Sequence, residues 1–237
     1  MRQPRAMPSH LIFDFFGTLV RYSPTPQQDG YRGTYGAAQA LGFEGGYTAF
    51  TKLWQQNYLQ LEEVACATHQ EFSMLDLSWR VLSTFCAEPG RRAADQLVES
   101  YLKEWNASVR YIDALVPMLT RLRGQYALSI VTNTHDTELV PGHLRSMGAE
   151  NLFDDLVTSV AFGQRKPASA IFAHAVGRLG ADAENCLYIG DNPEADYLGA
   201  TGAGLQAMLV GDSVNVAVPA AHRLGSILEL EQALAGT

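Results

Sequence analysis

The chain has 237 residues, and its hydrophobic fraction of 47% is enough to bury a core in one large domain or two modest ones. Its formal net charge of −8 argues against nucleic acid or an anionic membrane as a partner, because most of the surface would be repelled. The apolar run 11–13 is too short for an export signal, and no run approaches the roughly 18 residues that span a bilayer. We therefore expect a cytoplasmic protein.

Five short apolar runs bounded by turn-forming residues predict strands along the chain. They cover residues 10–14, 127–131, 156–160, 186–189 and 205–210. Between them, apolar residues recur at helical spacing over residues 113–123 and 168–179. Strands that alternate with helices predict an α/β fold, with a doubly wound, Rossmann-like parallel sheet covered on both faces.

The stretch from about Tyr31 to Asn106 has a different character, because it is helical in period and shows no convincing strand. A helical block that follows the first strand of an α/β fold predicts a separate all-α cap domain. We expect the cap to cover residues 23–108, and a discontinuous α/β catalytic core to cover residues 1–22 and 109–237. The turn-rich segment 23–30 and the region 107–111 are the predicted hinges.

An acidic residue closes the first predicted strand. Burying the Asp14 carboxylate is costly, so it is expected either to be hydrogen-bonded for structural reasons or to be poised for chemistry. Gly17 and Thr18 follow closely and allow a tight turn whose amides and hydroxyl could surround an anion.

Polar side chains also follow the later strands. Thr132 and Asn133 come after the second strand, and Lys166 stands after the third, just before a helix. Asp191 and Asp196 follow the fourth. Because the carboxyl ends of parallel strands meet at one crevice, these groups and Asp14 are expected to form one site with a nucleophile, a phosphate-binding hydroxyl, a cation and metal-binding carboxylates.

Each of these residues also has a structural interpretation. Thr132 could be an ordinary strand-end hydroxyl, Lys166 a solvated residue at a helix start, and the two later aspartates caps of the following helix. The order in which they occur, at successive strand ends, favours a shared site.

The ordered set resembles the motifs of the haloacid dehalogenase superfamily over about residues 10–210. Residues 13–19 resemble its first motif and residues 130–133 its second. Lys166 with Pro167 resembles the third motif, and Gly190-Asp191 with Asp196 the fourth. The inserted helical block resembles the cap that this family carries between its first and second motifs.

The resemblance implies a hydrolase in which Asp14 forms a covalent ester that water then hydrolyses. It further implies an Mg2+ ion held by Asp14, the backbone carbonyl of Phe16 and Asp191, with Asp196 as a ligand or support. Thr132 and Lys166 would act in catalysis by holding the transferring oxygens, and Gly17, Thr18 and Asn133 would bind the substrate. The implied partner is a small phosphorylated metabolite, and the oligomeric state stays open.

The sequence departs from this family pattern at one position. Phosphatases of the family usually carry a second aspartate two residues after the nucleophile, as general acid and base, and Phe16 stands there. A positioned acid is worth roughly 10²–10⁴ in rate, so a phosphatase without it needs an easily expelled leaving group or an acid from elsewhere. His135 is the nearest candidate for such an acid.

Three other functions remain open. A metal-independent 2-haloacid dehalogenase would tolerate an aromatic residue at Phe16, but the fourth motif and the cap glutamines Gln55 and Gln56 fit it less well. A phosphonatase-like enzyme would need a cap lysine, for which Lys52 is the candidate. The third is a catalytically inert phosphate-binding homologue. We rank phosphate ester or anhydride hydrolysis first and dehalogenation second.

Overall fold

The computed structural model describes residues 7–22, 30–211 and 218–236. The chain divides into two compact units, one of Met1–Arg21 with Tyr111–Thr237 and one of Tyr22–Arg110. The predicted hinge segment 23–30 lies outside the described residues except for Gly30. The assignment of the two units as catalytic core and cap stays a prediction.

The first unit is built on a six-stranded sheet in the order β5-β4-β1-β6-β7-β8. Its paired strands run parallel, which confirms the doubly wound α/β fold expected from the sequence. Two further short strands, β2 and β3, form a separate sheet. The strands are β1 (His10–Phe13), β2 (Val20–Arg21), β3 (Arg110–Tyr111), β4 (Ala127–Thr132), β5 (Asp155–Thr158), β6 (Cys186–Gly190), β7 (Gln206–Val210) and β8 (Arg223–Leu224).

The described part of the second unit contains four α-helices. They are α1 (Arg32–Ala40), α2 (Tyr47–Thr68), α3 (Met74–Leu82) and α4 (Arg91–Asn106). Helix α3 begins at a capping box in which Ser73 and Asp76 satisfy each other's backbone amides. The helices share a buried cluster that includes Phe50, Trp54 and Leu97, so Trp54 belongs to the core of this unit.

The described part of the first unit contains six α-helices. They are α5 (Leu115–Arg123), α6 (Leu139–Met147), α7 (Ser159–Phe162), α8 (Ser169–Leu179), α9 (Gly199–Gly202) and α10 (Leu230–Ala235). Ile171 and Phe172 of α8 join a buried cluster with Ile12, Val131 and Tyr188 on one face of the sheet. Because strand side chains alternate, Leu128 and Ile130 of β4 point to the opposite face, and both are buried. A sheet buried on both faces explains why its strands read as continuous apolar runs.

The predicted bounds of the strands and helices differ from the observed ones by one or two residues, and two of these differences affect the site region. The third strand was expected to reach Val160, but β5 ends at Thr158 and α7 begins at Ser159. A short apolar run does not distinguish a strand from the first turn of a helix. The first strand ends at Phe13, so Asp14 lies just beyond it. No helix in the described parts of the chain combines the length and apolar character needed to cross a membrane.

Candidate active site

Three neighbouring strands bring the candidate residues together within the first unit. Strand β1 lies between β4 and β6, and its last residue, Phe13, is level with Ile189 of β6. Asp14 follows, and its amide donates to the Ile189 carbonyl at 2.8 Å. Thr132 ends β4, and Asp191 follows the last residue of β6. The parallel arrangement therefore places all three polar residues at the same edge of the sheet.

The Asp14 carboxylate is buried, and its two oxygens have different surroundings. Oδ1 accepts hydrogen bonds from the Thr132 hydroxyl at 2.8 Å and from the Lys166 ammonium at 2.7 Å. Within the described residues, Oδ2 accepts a single long hydrogen bond, from the Thr18 hydroxyl at 3.4 Å. Oδ2 is thus the oxygen with more freedom to form a new bond.

Lys166 is buried rather than solvated, since only 3% of the residue is exposed. Its ammonium donates to Asp14 at 2.7 Å, to Asp196 at 2.6 Å and to the Tyr188 hydroxyl at 2.7 Å. The amide side chain of Asn133 holds the lysine main chain, accepting from the Lys166 N–H at 2.9 Å and donating to its carbonyl at 3.1 Å. The loop that carries the cation is therefore tied to the end of β4.

The two later aspartates are not the principal cap of the segment that follows them. Asn192 takes that place, because its side-chain oxygen accepts from the Glu194 and Ala195 amides at 2.9 Å each, at the start of a wide helical turn, Pro193–Leu198. Asp196 gives one oxygen to Lys166, while its other oxygen accepts from the Asn192 amide at 2.9 Å. Asp196 is thus held in place by the turn and by Lys166.

Two glycines make room for the acids. A Cβ atom on Gly17 would lie 2.1 Å from Oδ2 of Asp191, and Gly17 has a φ of +89°, which favours glycine. A Cβ atom on Gly190 would lie 2.3 Å from Cγ of Asp196. The carboxylates can therefore approach the backbone only because both positions lack a side chain.

Burial and mutual repulsion shift the titration of these groups. Burial, together with the charges of Asp14 and Asp196, raises the pKa of Asp191 to about 7. Burial also raises the pKa of Asp14, although Lys166 opposes this shift. Burial alone would lower the pKa of Lys166, but the carboxylates of Asp14 and Asp196 raise it above its usual value, so the lysine is held as an ammonium.

The acidic group fits a hard divalent cation. One carboxylate oxygen from each of Asp14, Asp191 and Asp196 lies within 4.8 Å of the others. When all three carboxylates are ionised, the Lys166 ammonium balances one of their three negative charges. The two remaining charges are buried, and a divalent cation would balance them. Carboxylate oxygens are also the donors that Mg2+ prefers.

The residues predicted to bind substrate have partners within the protein. The Gly17 amide donates to the Val20 carbonyl at 2.8 Å, so this amide is engaged in the turn and not directed at an anion. Thr18 is fully buried against Asp14, and Asn133 holds the Lys166 main chain. A substrate-binding role for these residues stays a prediction.

The ring of Phe16 is half-buried among other rings. Its centroid lies 4.9 Å from Phe15 and 5.9 Å from His143 on α6. The His143 ring is buried and its Nδ1 lies 3.0 Å from the Tyr111 hydroxyl. Phe16 has a histidine beside it that sequence reasoning did not identify, since it had pointed to His135 instead. On the second unit, Lys52 is exposed on α2.

Sequence reasoning also missed Tyr188. This residue lies inside β6, is fully buried, and directs its hydroxyl at Lys166. A signal was available, because a buried tyrosine hydroxyl needs a hydrogen-bond partner, and an otherwise apolar strand offers none on itself. The partner is 22 residues away in the sequence and could be identified only from the fold.

Comparisons with known proteins identify related phosphatases and a solved structure of the same fold. A ribulose-1,5-bisphosphate 5-phosphatase of Halopiger xanaduensis is 26% identical over 210 residues, which cover 87% of this chain and 86% of that protein. An N-acylneuraminate-9-phosphatase of Mus musculus is 30% identical over 123 residues, about half of each protein (50% and 49%). The crystal structure of a 2-haloacid dehalogenase from Pseudomonas syringae pv. Tomato DC3000 superposes with a TM-score of 0.72 at 22% identity, covering 97% of this chain and 99% of that one, and so shares the fold.

The family model of haloacid dehalogenase-like hydrolases matches residues 8–204, a span that contains every residue of the acidic cluster together with Thr132 and Lys166. The resemblance noted from the sequence motifs is thereby confirmed. The chain belongs to the haloacid dehalogenase-like hydrolases.

Proposed function

We propose that this protein is a Mg2+-dependent phosphatase that uses Asp14 as a covalent nucleophile on a small phosphorylated metabolite. The observation that supports the proposal most directly is the triple cluster of Asp14, Asp191 and Asp196 beside the buried Lys166. Dehalogenation expels halide from an uncharged carbon and needs no metal, whereas a carboxylate that attacks an anionic phosphoryl group needs positive charge around it.

The proposed chemistry has two steps. Oδ2 of Asp14 attacks phosphorus while Oδ1 is held by Thr132 and Lys166, and the bond from phosphorus to the leaving oxygen breaks. Water then attacks the phosphorus of the aspartyl phosphate, which releases inorganic phosphate and restores the Asp14 carboxylate. Throughout, the Thr132 hydroxyl holds Oδ1 of Asp14, and the positive charge of the Lys166 ammonium beside it offsets negative charge on the transferring oxygens.

Mg2+ would be held by Asp14, Asp191, Asp196 and the backbone carbonyl of Phe16. When bound, the ion supplies charge neutralisation between the attacking carboxylate and the phosphoryl oxygens. Asp191 must be ionised to serve as a ligand, and its pKa of about 7 means that burial and the neighbouring carboxylates oppose that state until a cation binds.

Phe16 narrows the class of substrate that we propose. Its phenyl ring cannot protonate a departing oxygen, so expulsion of an alkoxide, whose conjugate acid has a pKa of roughly 16, is slow. A carboxylate leaving group, with a pKa of about 4, departs without protonation. Acyl phosphates and other anhydrides therefore fit this site better than alkyl phosphates. The names of the two relatives described above, both phosphatases, support phosphoryl transfer in general.

A hydrolysis screen tests the proposal. Acetyl phosphate, p-nitrophenyl phosphate, a sugar phosphate and 2-chloropropionate are each incubated with the parent protein and with Asp14→Asn, in Mg2+ and in EDTA. We expect phosphate release from the first two compounds, its loss in EDTA, and its loss in the variant.

A second candidate, 2-haloacid dehalogenation, is favoured by Phe16 alone. Chloride release that persists in EDTA while every phosphorylated compound survives would replace the phosphatase by this activity. A parent protein that binds Mg2+ and phosphate without turnover would indicate an inert phosphate-binding homologue.

A further inference from the structure

The hydroxyl of Tyr188 lies at the centre of the polar network and belongs to none of the family motifs quoted above. It is 2.7 Å from the Lys166 ammonium, 2.7 Å from the Val131 carbonyl and 3.1 Å from Oδ1 of Asp196. The residue is fully buried, with Phe172 packed edge-on against its ring at 5.2 Å. Its position is therefore set by the core of the sheet.

The direction of each hydrogen bond follows from counting protons. An ammonium has three donors and no acceptor, so Lys166 donates to the Tyr188 oxygen. The tyrosine has one proton, and the shorter of its two acceptor contacts is the Val131 carbonyl. All three Lys166 protons then have acceptors, in Asp14, Asp196 and Tyr188.

We infer that Tyr188 is a positioning residue that holds the Lys166 ammonium beside Asp14 by connecting it to the main chain of β4. The Val131 carbonyl immediately precedes Thr132, which is the other hydrogen-bond donor to Oδ1 of Asp14. The hydroxyl thus sets the distance between the two groups that act on the same carboxylate oxygen. This inference rests on the proposed function, because the ammonium must be in place for phosphoryl transfer.

Removal of the hydroxyl should weaken catalysis without unfolding the protein. In Tyr188→Phe the ring still fills the core, but the hydrogen bonds of the hydroxyl with the Lys166 ammonium and with the Val131 carbonyl are lost. A hydrogen bond to a charged group is worth about 1.5–3 kcal/mol, which corresponds to a decrease of about 10- to 150-fold in kcat. KM should rise as well, because the Lys166 ammonium that loses its position also attracts the phosphoryl oxygens.

Tyr197→Phe is the matched control. Tyr197 lies in the same buried cluster, is also buried, and donates or accepts one hydrogen bond at 2.6 Å, with Nδ1 of His222. Each variant loses one hydrogen-bonded tyrosine hydroxyl, and thermal unfolding of each measures the purely structural cost. Tyr197→Phe should keep the parental kcat.

The experiment measures kcat and KM with acetyl phosphate and Mg2+, and in parallel the affinity for tungstate, an unreactive phosphate analogue, by calorimetry. We expect Tyr188→Phe to lose kcat and tungstate affinity relative to Tyr197→Phe at similar thermal stability. Equal kcat and equal tungstate affinity in the two variants would overturn the inference and leave the proposed function intact. A parent protein that hydrolyses no phosphorylated compound would instead overturn the proposed function.

Discussion

Substitution of Gly17 by alanine tests the geometry of the acidic cluster most directly. The new Cβ atom would lie 2.1 Å from Oδ2 of Asp191, whereas ordinary van der Waals contact begins at 3.4 Å. The Asp191 carboxylate must therefore move by about 1 Å or more, and a displacement of that size can cost about 10²-fold in rate. Because Asp191 is a flexible side chain, the movement itself should add little to the stability cost. The φ of +89° should contribute a destabilisation of about 1–3 kcal/mol.

Gly148→Ala is the control that separates backbone strain from displacement of the Asp191 carboxylate. Gly148 ends α6 with a φ of +67°, and a Cβ atom there would meet nothing within 4 Å. This variant should lose a similar free energy of unfolding while keeping its Mg2+ affinity and kcat. Gly17→Ala should lose all three. Urea unfolding, Mg2+ calorimetry and acetyl phosphate hydrolysis measure them. If Gly17→Ala retained the parental Mg2+ affinity and kcat, Asp191 would not be placed as a ligand in the way we describe.

Three further substitutions test other parts of the structure. Phe16→Asp supplies an acid two residues after Asp14, so hydrolysis of alkyl phosphates should rise by about 10²- to 10⁴-fold while that of acetyl phosphate changes far less. His143→Gln should make the free energy of unfolding depend less on pH. Burial lowers the pKa of His143, so the neutral ring is favoured in the folded protein. Its contribution to stability is fully present above the unfolded-state pKa of about 6.5 and is lost as the pH falls below that value. Leu97→Ala removes a fully buried side chain of α4 and should cost about 2–5 kcal/mol of unfolding free energy.

The controls differ among these three. Equal acceleration of both substrate classes in Phe16→Asp would show that protonation of the leaving group is not what the parent lacks. For His143→Gln, melting temperatures at pH 7.5 and pH 5.5 are compared with those of the parent, and an unchanged difference between the two pH values would refute the assignment. For Leu97→Ala, the exposed Leu59→Ala on α2 is the control, since it should leave urea unfolding nearly unchanged.

Local patterns in the sequence were sufficient to predict the parallel sheet and the proximity of several polar residues at one edge of it. The first, second and fourth predicted strands are apolar runs closely followed by a polar residue, and Lys166 follows the third. Because parallel strand ends meet at one edge, the order of Asp14, Thr132, Lys166 and Asp191 along the chain predicted their proximity. The pairs that meet are 118 and 152 residues apart in the sequence.

Only the tertiary structure could decide how these groups satisfy one another. Three features depend on which atoms face each other across different strands. They are the three acceptors around the Lys166 ammonium, the hydrogen bonds of the Asn133 amide with the lysine main chain, and the space that Gly17 leaves for Asp191. The spacing of apolar residues along a strand or helix indicates which face a residue lies on, but it does not indicate which side chain that residue contacts. For the same reason, the sequence did not distinguish Tyr188 from the apolar residues of its strand. Its role depends on the hydrogen bond between its hydroxyl and the Lys166 ammonium, which only the fold brings together.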